Sequence, residues 1–142
     1  MTESRRFTEV ERRLLDALLA GDHPVLHALR RQARVATTND RFFSGGGVDI
    51  EIHVPRAEPA VQPAAFTLSD VAFELKGTEK GGQALLFVRD GFLQRLTLSN
   101  WTADWPPNPQ IGAVHYLTPV ADGEQTLAET RDMEGLAREL AA

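Results

Sequence analysis

The chain has 142 residues, 42% hydrophobic and 25% charged, the size and balance of one soluble globular domain of roughly 100–150 residues. It contains no cysteine, which excludes disulfides, thiolate nucleophiles, iron–sulfur clusters and cysteine zinc sites. Its net charge is −5, with the acidic excess confined to residues 35–142, so phosphate backbones are repelled and no nucleic-acid partner is expected.

The N-terminal third is helical in pattern. Thr8 and Glu11 have capping-box spacing, and Val10, Leu14, Ala17 and Leu18 recur at the helical period. Gly21 can stop that helix in a left-handed cap. Asp22 is placed to cap a second, short helix, with Pro24 tolerated in its first turn and Val25, Leu26, Leu29 and Ala33 on its apolar side. Arg30, Arg31 and Arg34 near that helix's end complement its dipole.

From about Arg34 the period shortens to two. Arg34–Thr38 is a weak strand candidate, followed by Asn39, Asp40 and a loop through Gly45, Gly46 and Gly47. Val48, Ile50, Ile52 and Val54 alternate with Asp49, Glu51 and His53, a clear amphipathic strand. Pro55, Pro59 and Pro63 exclude the next stretch from a central strand. Strand character resumes over Phe66–Lys76, with Val71, Phe73 and Leu75 on one face.

Ala84–Arg89 and Phe92–Leu98 flank Asp90-Gly91, the signature of a two-residue type I′ hairpin. Valine at Gly91 should destabilise this turn, whereas asparagine, which enters positive φ most easily, should be tolerated. After a loop from Trp101 to Pro109 comes a last strand, Ala113–Thr118, and then an Asp122-Gly123 turn. Thr126 and Glu129 read as a second capping box, opening a C-terminal helix with Leu127, Leu136, Ala137 and Leu140 on one side.

Helices and strands are thus segregated. The expected fold is α+β: two N-terminal helices, a mainly antiparallel sheet of five or six strands, and a C-terminal helix, in a single domain over 1–142. The helices should cover one sheet face and leave the other partly wet. No apolar run approaches the ~20 residues of a membrane span, and Met1–Arg6 lead into no signal-peptide core, so the expectation is a cytoplasmic protein without a membrane partner.

Few residue patterns carry chemistry. Asp49, Glu51 and His53 leave one face of a strand, two oxygen donors and one nitrogen donor of the kind that hold Mn, Zn or iron. Their ~7 Å spacing is wide for one ion, and polar residues belong on the solvated face of such a strand. His23 and His27 are four apart, but Pro24 stands where a metalloprotease-type motif needs glutamate. Ser44-Gly45-Gly46-Gly47 lacks the Lys-Ser/Thr of a phosphate loop, and no serine lies in a nucleophile elbow. Trp101, Trp105, Pro106 and Pro107 stand apart, since indoles on a proline-stiffened loop suit a recognition surface. The simpler reading is that both indoles fold back and plug the open end of the sheet.

The segment Leu18-Leu19-Ala20-Gly21-Asp22-His23-Pro24-Val25-Leu26, with Phe42 to Gly47, Ile52 to Pro55 and the hairpin Leu86 to Leu93, resembles a group of small uncharacterised bacterial α+β proteins. Such relatives carry a Leu-Glu-x-Tyr pattern after the hairpin, where this chain has Leu96-Thr97-Leu98. The resemblance implies an immunity-like protein that binds a toxin or another protein partner. The leading expectation, resting on the lack of a catalytic motif, the acidic balance and the Trp/Pro loop, is a non-enzymatic protein-interaction module that needs no cofactor. The alternatives are a metal-dependent enzyme on Asp49, Glu51 and His53, or a protein with a pocket for a small apolar ligand near Trp101 and Trp105.

Overall fold

A computed structural model describes residues 6–78, 81–101, 104–120 and 124–141. Helices α1 (Glu9–Leu18) and α2 (Pro24–Val35) precede strands β1 (Thr37–Phe43), β2 (Gly47–His53), β3 (Phe66–Leu75), β4 (Gly82–Arg89), β5 (Phe92–Asn100), β6 (Ile111–Pro119) and β7 (Gln125–Ala128). Helix α3 (Met133–Leu140) closes the described fold. The strands form one antiparallel sheet in the order β1-β2-β5-β4-β3-β6-β7. Among the described residues, the α+β class and the three helices agree with the sequence pattern, and the sheet has seven strands, where five or six were expected. Among the described residues, no helix is long and apolar enough to cross a membrane.

Helix α1 begins as its capping box dictates, with Thr8 Oγ1 accepting from Glu11 N at 3.2 Å and Glu11 Oε1 accepting from Thr8 N at 2.9 Å. Leu14, Leu15 and Leu18 are fully buried on its inner side. Helix α2 starts one residue later than Asp22 suggested: His23 is the N-cap, its Nδ1 accepting from Val25 N at 3.1 Å. Asp22 instead accepts from His27 Nε2 at 3.0 Å, an exposed contact. His23 and His27 therefore serve the helix start and do not converge on an ion.

Both helices lie on one side of the sheet. Residues facing them, among them Ile50, Leu68, Val71, Leu86, Leu96 and Leu98, are almost wholly excluded from water and form one core with α1 and α2. The other side carries Asp49, Glu51, Leu85, Phe87, Arg95 and Thr97, none fully buried. A bulge at Gln94, where pairing passes from Phe87↔Arg95 to Val88↔Leu93, lets Phe92 and Leu93 both turn inward.

Three boundaries differ from expectation. The first strand is Thr37–Phe43 and not Arg34–Thr38, because Arg34 still belongs to α2. Asn39 and Asp40 fall in a bulge between Thr38 and Arg41, so these turn-forming residues are absorbed without ending the strand. Gln125–Ala128 is a strand, with Thr126 opposite Thr118 and Leu127 opposite Leu117. It pairs with the outer edge of β6, whose amides and carbonyls would otherwise lack partners. Helix α3 then starts at Met133, capped by Asp132 Oδ1 on Gly135 N at 3.0 Å, and Leu127 is left exposed. The Asp122-Gly123 turn lies outside the described residues.

The β4–β5 hairpin turns through Asp90 (φ 56°) and Gly91 (φ 83°), as a type I′ turn requires. The expected tolerance of asparagine at Gly91 does not survive the packing. A Cβ there would sit 2.5 Å from Ala60 Cβ and 2.9 Å from Val61 N. The proline-rich segment folds over the turn and bonds to it, with Val61 N donating to Gly91 O at 2.9 Å and Gly91 N to Ala64 O at 2.8 Å. Buried Gln32 of α2 completes the clamp: its Nε2 donates to Pro59 O (3.1 Å) and Gly91 O (2.9 Å), and its Oε1 accepts from Leu93 N (3.0 Å).

A second polar clamp fixes the other end. Arg131 meets both oxygens of Asp70 at 2.8 Å and donates to Ala20 O at 2.7 Å, while Tyr116 Oη donates to Ala17 O at 2.8 Å. The Ala17 carbonyl in the last turn of α1 and the Ala20 carbonyl just beyond the helix are thereby satisfied by side chains from the β6–α3 half of the chain.

Candidate functional site

A cleft of 590 Å³ opens between the first turn of α1, the β1–β2 turn and the loop that joins β5 to β6. Its volume falls within the roughly 300–1,000 Å³ typical of small-ligand pockets. Val48 of β2 and Leu98 of β5, neighbours across the sheet, form its floor and are themselves buried. The apolar lining continues through Val10 of α1, Phe43 at the end of β1, Ile111 at the start of β6, and Trp105 with Pro107 on the loop.

Trp105 faces this cleft because its loop is fastened at several points. Its backbone N donates to Gly45 O at 2.6 Å, Asn100 Nδ2 donates to Asp104 O at 3.2 Å, and Lys76 N donates to Gln110 O at 2.9 Å. The indole stands edge-on to Phe73, ring centres 6.1 Å apart and planes at 89°, a favourable aromatic geometry. Gly45 takes φ +76° with open space around its α-carbon, so the β1–β2 turn can present its carbonyl to the loop.

Polar groups line one end. Glu11 and Arg41 form a nearly buried ion pair: Arg41 Nη2 lies 2.7 Å from Glu11 Oε1, and Nε lies 2.9 Å from Oε2. Arg41 Nη2 also donates to Arg6 O at 3.0 Å. Fork-to-fork geometry of this kind is rigid and fully hydrogen bonded, so the pair acts as a fixed wall. Arg13, two residues further along α1, donates from Nη2 to Gly112 O at 2.7 Å and from Nη1 to Ile111 O at 3.4 Å. Lys76 and Glu9 also border the opening.

The residues singled out by sequence separate into three places. Trp105 and Pro107 line the cleft; Pro106, half-buried, does not. Trp101 is 45% exposed and lies against the opposite face of the sheet, beside a smaller hollow of 390 Å³ shared with Ala72, His115 and Leu127. Asp49, Glu51 and His53 share that helix-free face. Asp49 Oδ1 accepts from Thr97 Oγ1 at 2.7 Å, Glu51 stands opposite Arg95 in register, and His53 is exposed opposite Thr37. Among the described residues, no three His, Asp or Glu side chains come together closely enough to hold a metal ion.

Arg41 and Glu11 were not singled out by sequence reasoning. Glu11 was visible only as a capping partner, and Arg41 sat in a segment read as loop. Their pairing across thirty positions has no local signal.

Comparison with known proteins brings no family to this geometry: no protein-family model, no curated protein and no solved structure matches the chain.

Proposed function

We propose that this protein is a binding module whose recognition site is the cleft beneath Trp105, and that its ligand is a small molecule with an apolar body. The cleft itself carries this reading: a 590 Å³ concavity whose floor and one wall are aliphatic and aromatic, with a fixed ion pair and a few cations at one end. Largely apolar concavities with a small number of placed polar groups are where proteins bind small ligands. Of the alternatives legible in the sequence, the ligand pocket near the tryptophans gains support from Trp105 turning inward. The metal-dependent enzyme gains none from the positions of Asp49, Glu51 and His53.

The chain's two indoles, on opposite sides of the sheet, provide the test. In a Trp101→Phe protein, Trp105 is the sole indole reporter, and cleft ligands from an apolar-fragment screen should shift or quench its emission. Gln110→Phe places bulk in the cleft from an exposed position and should abolish those responses without changing the melting temperature. Ligands that still bind with the cleft filled would overturn the assignment.

A second reading, an immunity-like or other protein-interaction module, keeps one observation in its favour. Trp101, Phe42 and Leu127 are large apolar side chains left exposed on the helix-free side. Loss of a purified partner's binding in Trp101→Ala, with Gln110→Phe unaffected, is the outcome that reading requires.

A further inference from the structure

We infer that the cleft selects an amphipathic anion: an aromatic or aliphatic body seated against Trp105, Val48 and Leu98, with a carboxylate, sulfonate or phosphate at the end bordered by Arg13 and Lys76. This inference rests on the cleft being a ligand site and specifies what it takes.

The charges at the opening are unevenly paired. Glu11 and Arg41 neutralise one another through two short hydrogen bonds. Arg13 and Lys76 also border the cleft, and neither meets a carboxylate among the described residues. Among the described residues Glu9 is the one remaining acid on the lining, so the described groups outside the Glu11–Arg41 pair sum to a positive charge in a chain whose net charge is −5. A cationic spot on an acidic protein is a local reversal of field, and it favours an anion there over a neutral or cationic group.

Arg13 is also oriented. Two of its guanidinium nitrogens rest on the carbonyls of Ile111 and Gly112, at the start of β6 where Ile111 contributes to the apolar lining. Those carbonyls hold the planar fork beside the apolar wall and leave Nε–H and the remaining Nη protons without a partner among the described residues. A guanidinium fixed in this way loses less freedom on gripping an anion than a mobile one. Lys76 is held at its backbone by Gln110 O, which brings a second, flexible cation to the same end of the loop. Cations and apolar wall are contiguous, so a ligand must join both properties in one molecule.

Two dyes with the same aromatic body separate these elements. N-phenyl-1-naphthylamine is neutral, and 8-anilinonaphthalene-1-sulfonate adds one anionic group. Both should bind one-to-one with energy transfer from Trp105 in the Trp101→Phe protein, the sulfonate more tightly. Arg13→Gln with Lys76→Gln, both at exposed positions, should weaken the sulfonate about fivefold or more and change the neutral dye less than twofold. Arg31→Gln with Arg34→Gln alters the net charge equally, away from the cleft, and should change neither dye.

If both dyes bind alike, or the control pair weakens the sulfonate as much, the selectivity is wrong while the cleft remains a ligand site. If neither dye binds, or Gln110→Phe leaves both bound, the cleft itself is not the site and both conclusions fall.

Discussion

Gly91 and Gly45 form a matched pair in which backbone conformation and steric contact can be measured apart. Both have positive φ, +83° and +76°. A Cβ at Gly45 meets nothing within 4 Å, whereas at Gly91 it meets Ala60 Cβ at 2.5 Å and Val61 N at 2.9 Å. Alanine at either position incurs the left-handed penalty, about 1–2 kcal/mol. At Gly91 a further ~1–3 kcal/mol follows from overpacking, because the obstructing atoms are backbone and a methyl group attached to it. They cannot withdraw without breaking the Val61–Gly91 and Gly91–Ala64 hydrogen bonds. Gly45→Ala should therefore cost about 1–2 kcal/mol and Gly91→Ala about 2–5 kcal/mol, with Gly91→Asn no better than alanine. Urea denaturation of the three variants gives the values, with m unchanged if only stability moves. At this chain length each kcal/mol should lower the melting temperature by roughly 3 °C. Equal losses at Gly45 and Gly91 would refute the reasoning, since residues 60–64 would then be yielding freely and the hairpin turn would not be clamped.

Three further outcomes follow from the polar clamps and the cleft wall. Glu11→Gln removes the carboxylate that meets the nearly buried Arg41 at 2.7 Å and should cost about 3–5 kcal/mol; adding Arg41→Met should restore part of that loss, as a double-mutant cycle in denaturant would show. Gln32→Leu removes the partner of Leu93 N and two carbonyl contacts in a dry site and should cost about 2–4 kcal/mol by chemical denaturation. Tyr116 has its pKa raised above the usual value by burial, partly offset by Arg131 and reinforced slightly by Asp70. The unfolded chain then loses this proton first as pH rises, so stability should fall above about pH 10, and Tyr116→Phe should flatten the fall in urea midpoints between pH 9 and pH 11.

Local chemistry explains which parts of the fold were legible. The Thr8–Glu11 box, the alternation over Val48–Val54 and the Asp90-Gly91 turn each express their structure within a few residues, and each occurs as read. Thr126 and Glu129 show the limit of local signals. Their spacing suits a capping box, but the open edge of β6 claims the segment as a strand and Asp132 caps the helix instead. Asn39 and Asp40 favour a turn in isolation and become a bulge when β2 supplies the partner. At Gly91 the φ was legible and the clash was not, since Ala60 and Val61 arrive from a segment whose path no periodicity encodes.

The candidate site divides in the same way. An aromatic ring on a stiff loop was recognisable at Trp105, but the side it faces depends on Gly45 O and Phe73, which the loop sequence does not specify. The wall it faces is assembled from α1, β1, β2, β5 and β6, and only the tertiary pairing brings Glu11 to Arg41 or Arg13 to Ile111. Asp49, Glu51 and His53 were correctly placed on one strand face. Thr97 and Arg95 stand opposite Asp49 and Glu51, as suits side chains on a solvated sheet.

The most direct test of the central claim is to locate a bound ligand by nuclear Overhauser effects in solution. With N-phenyl-1-naphthylamine bound to isotope-labelled protein, intermolecular contacts are expected from the dye to the Trp105 indole and to the methyl groups of Val10, Val48, Leu98 and Ile111. Contacts to Leu85, Phe87, Leu127 and the Trp101 indole, with none to Trp105, would place binding on the opposite face of the sheet and contradict the assignment of the cleft.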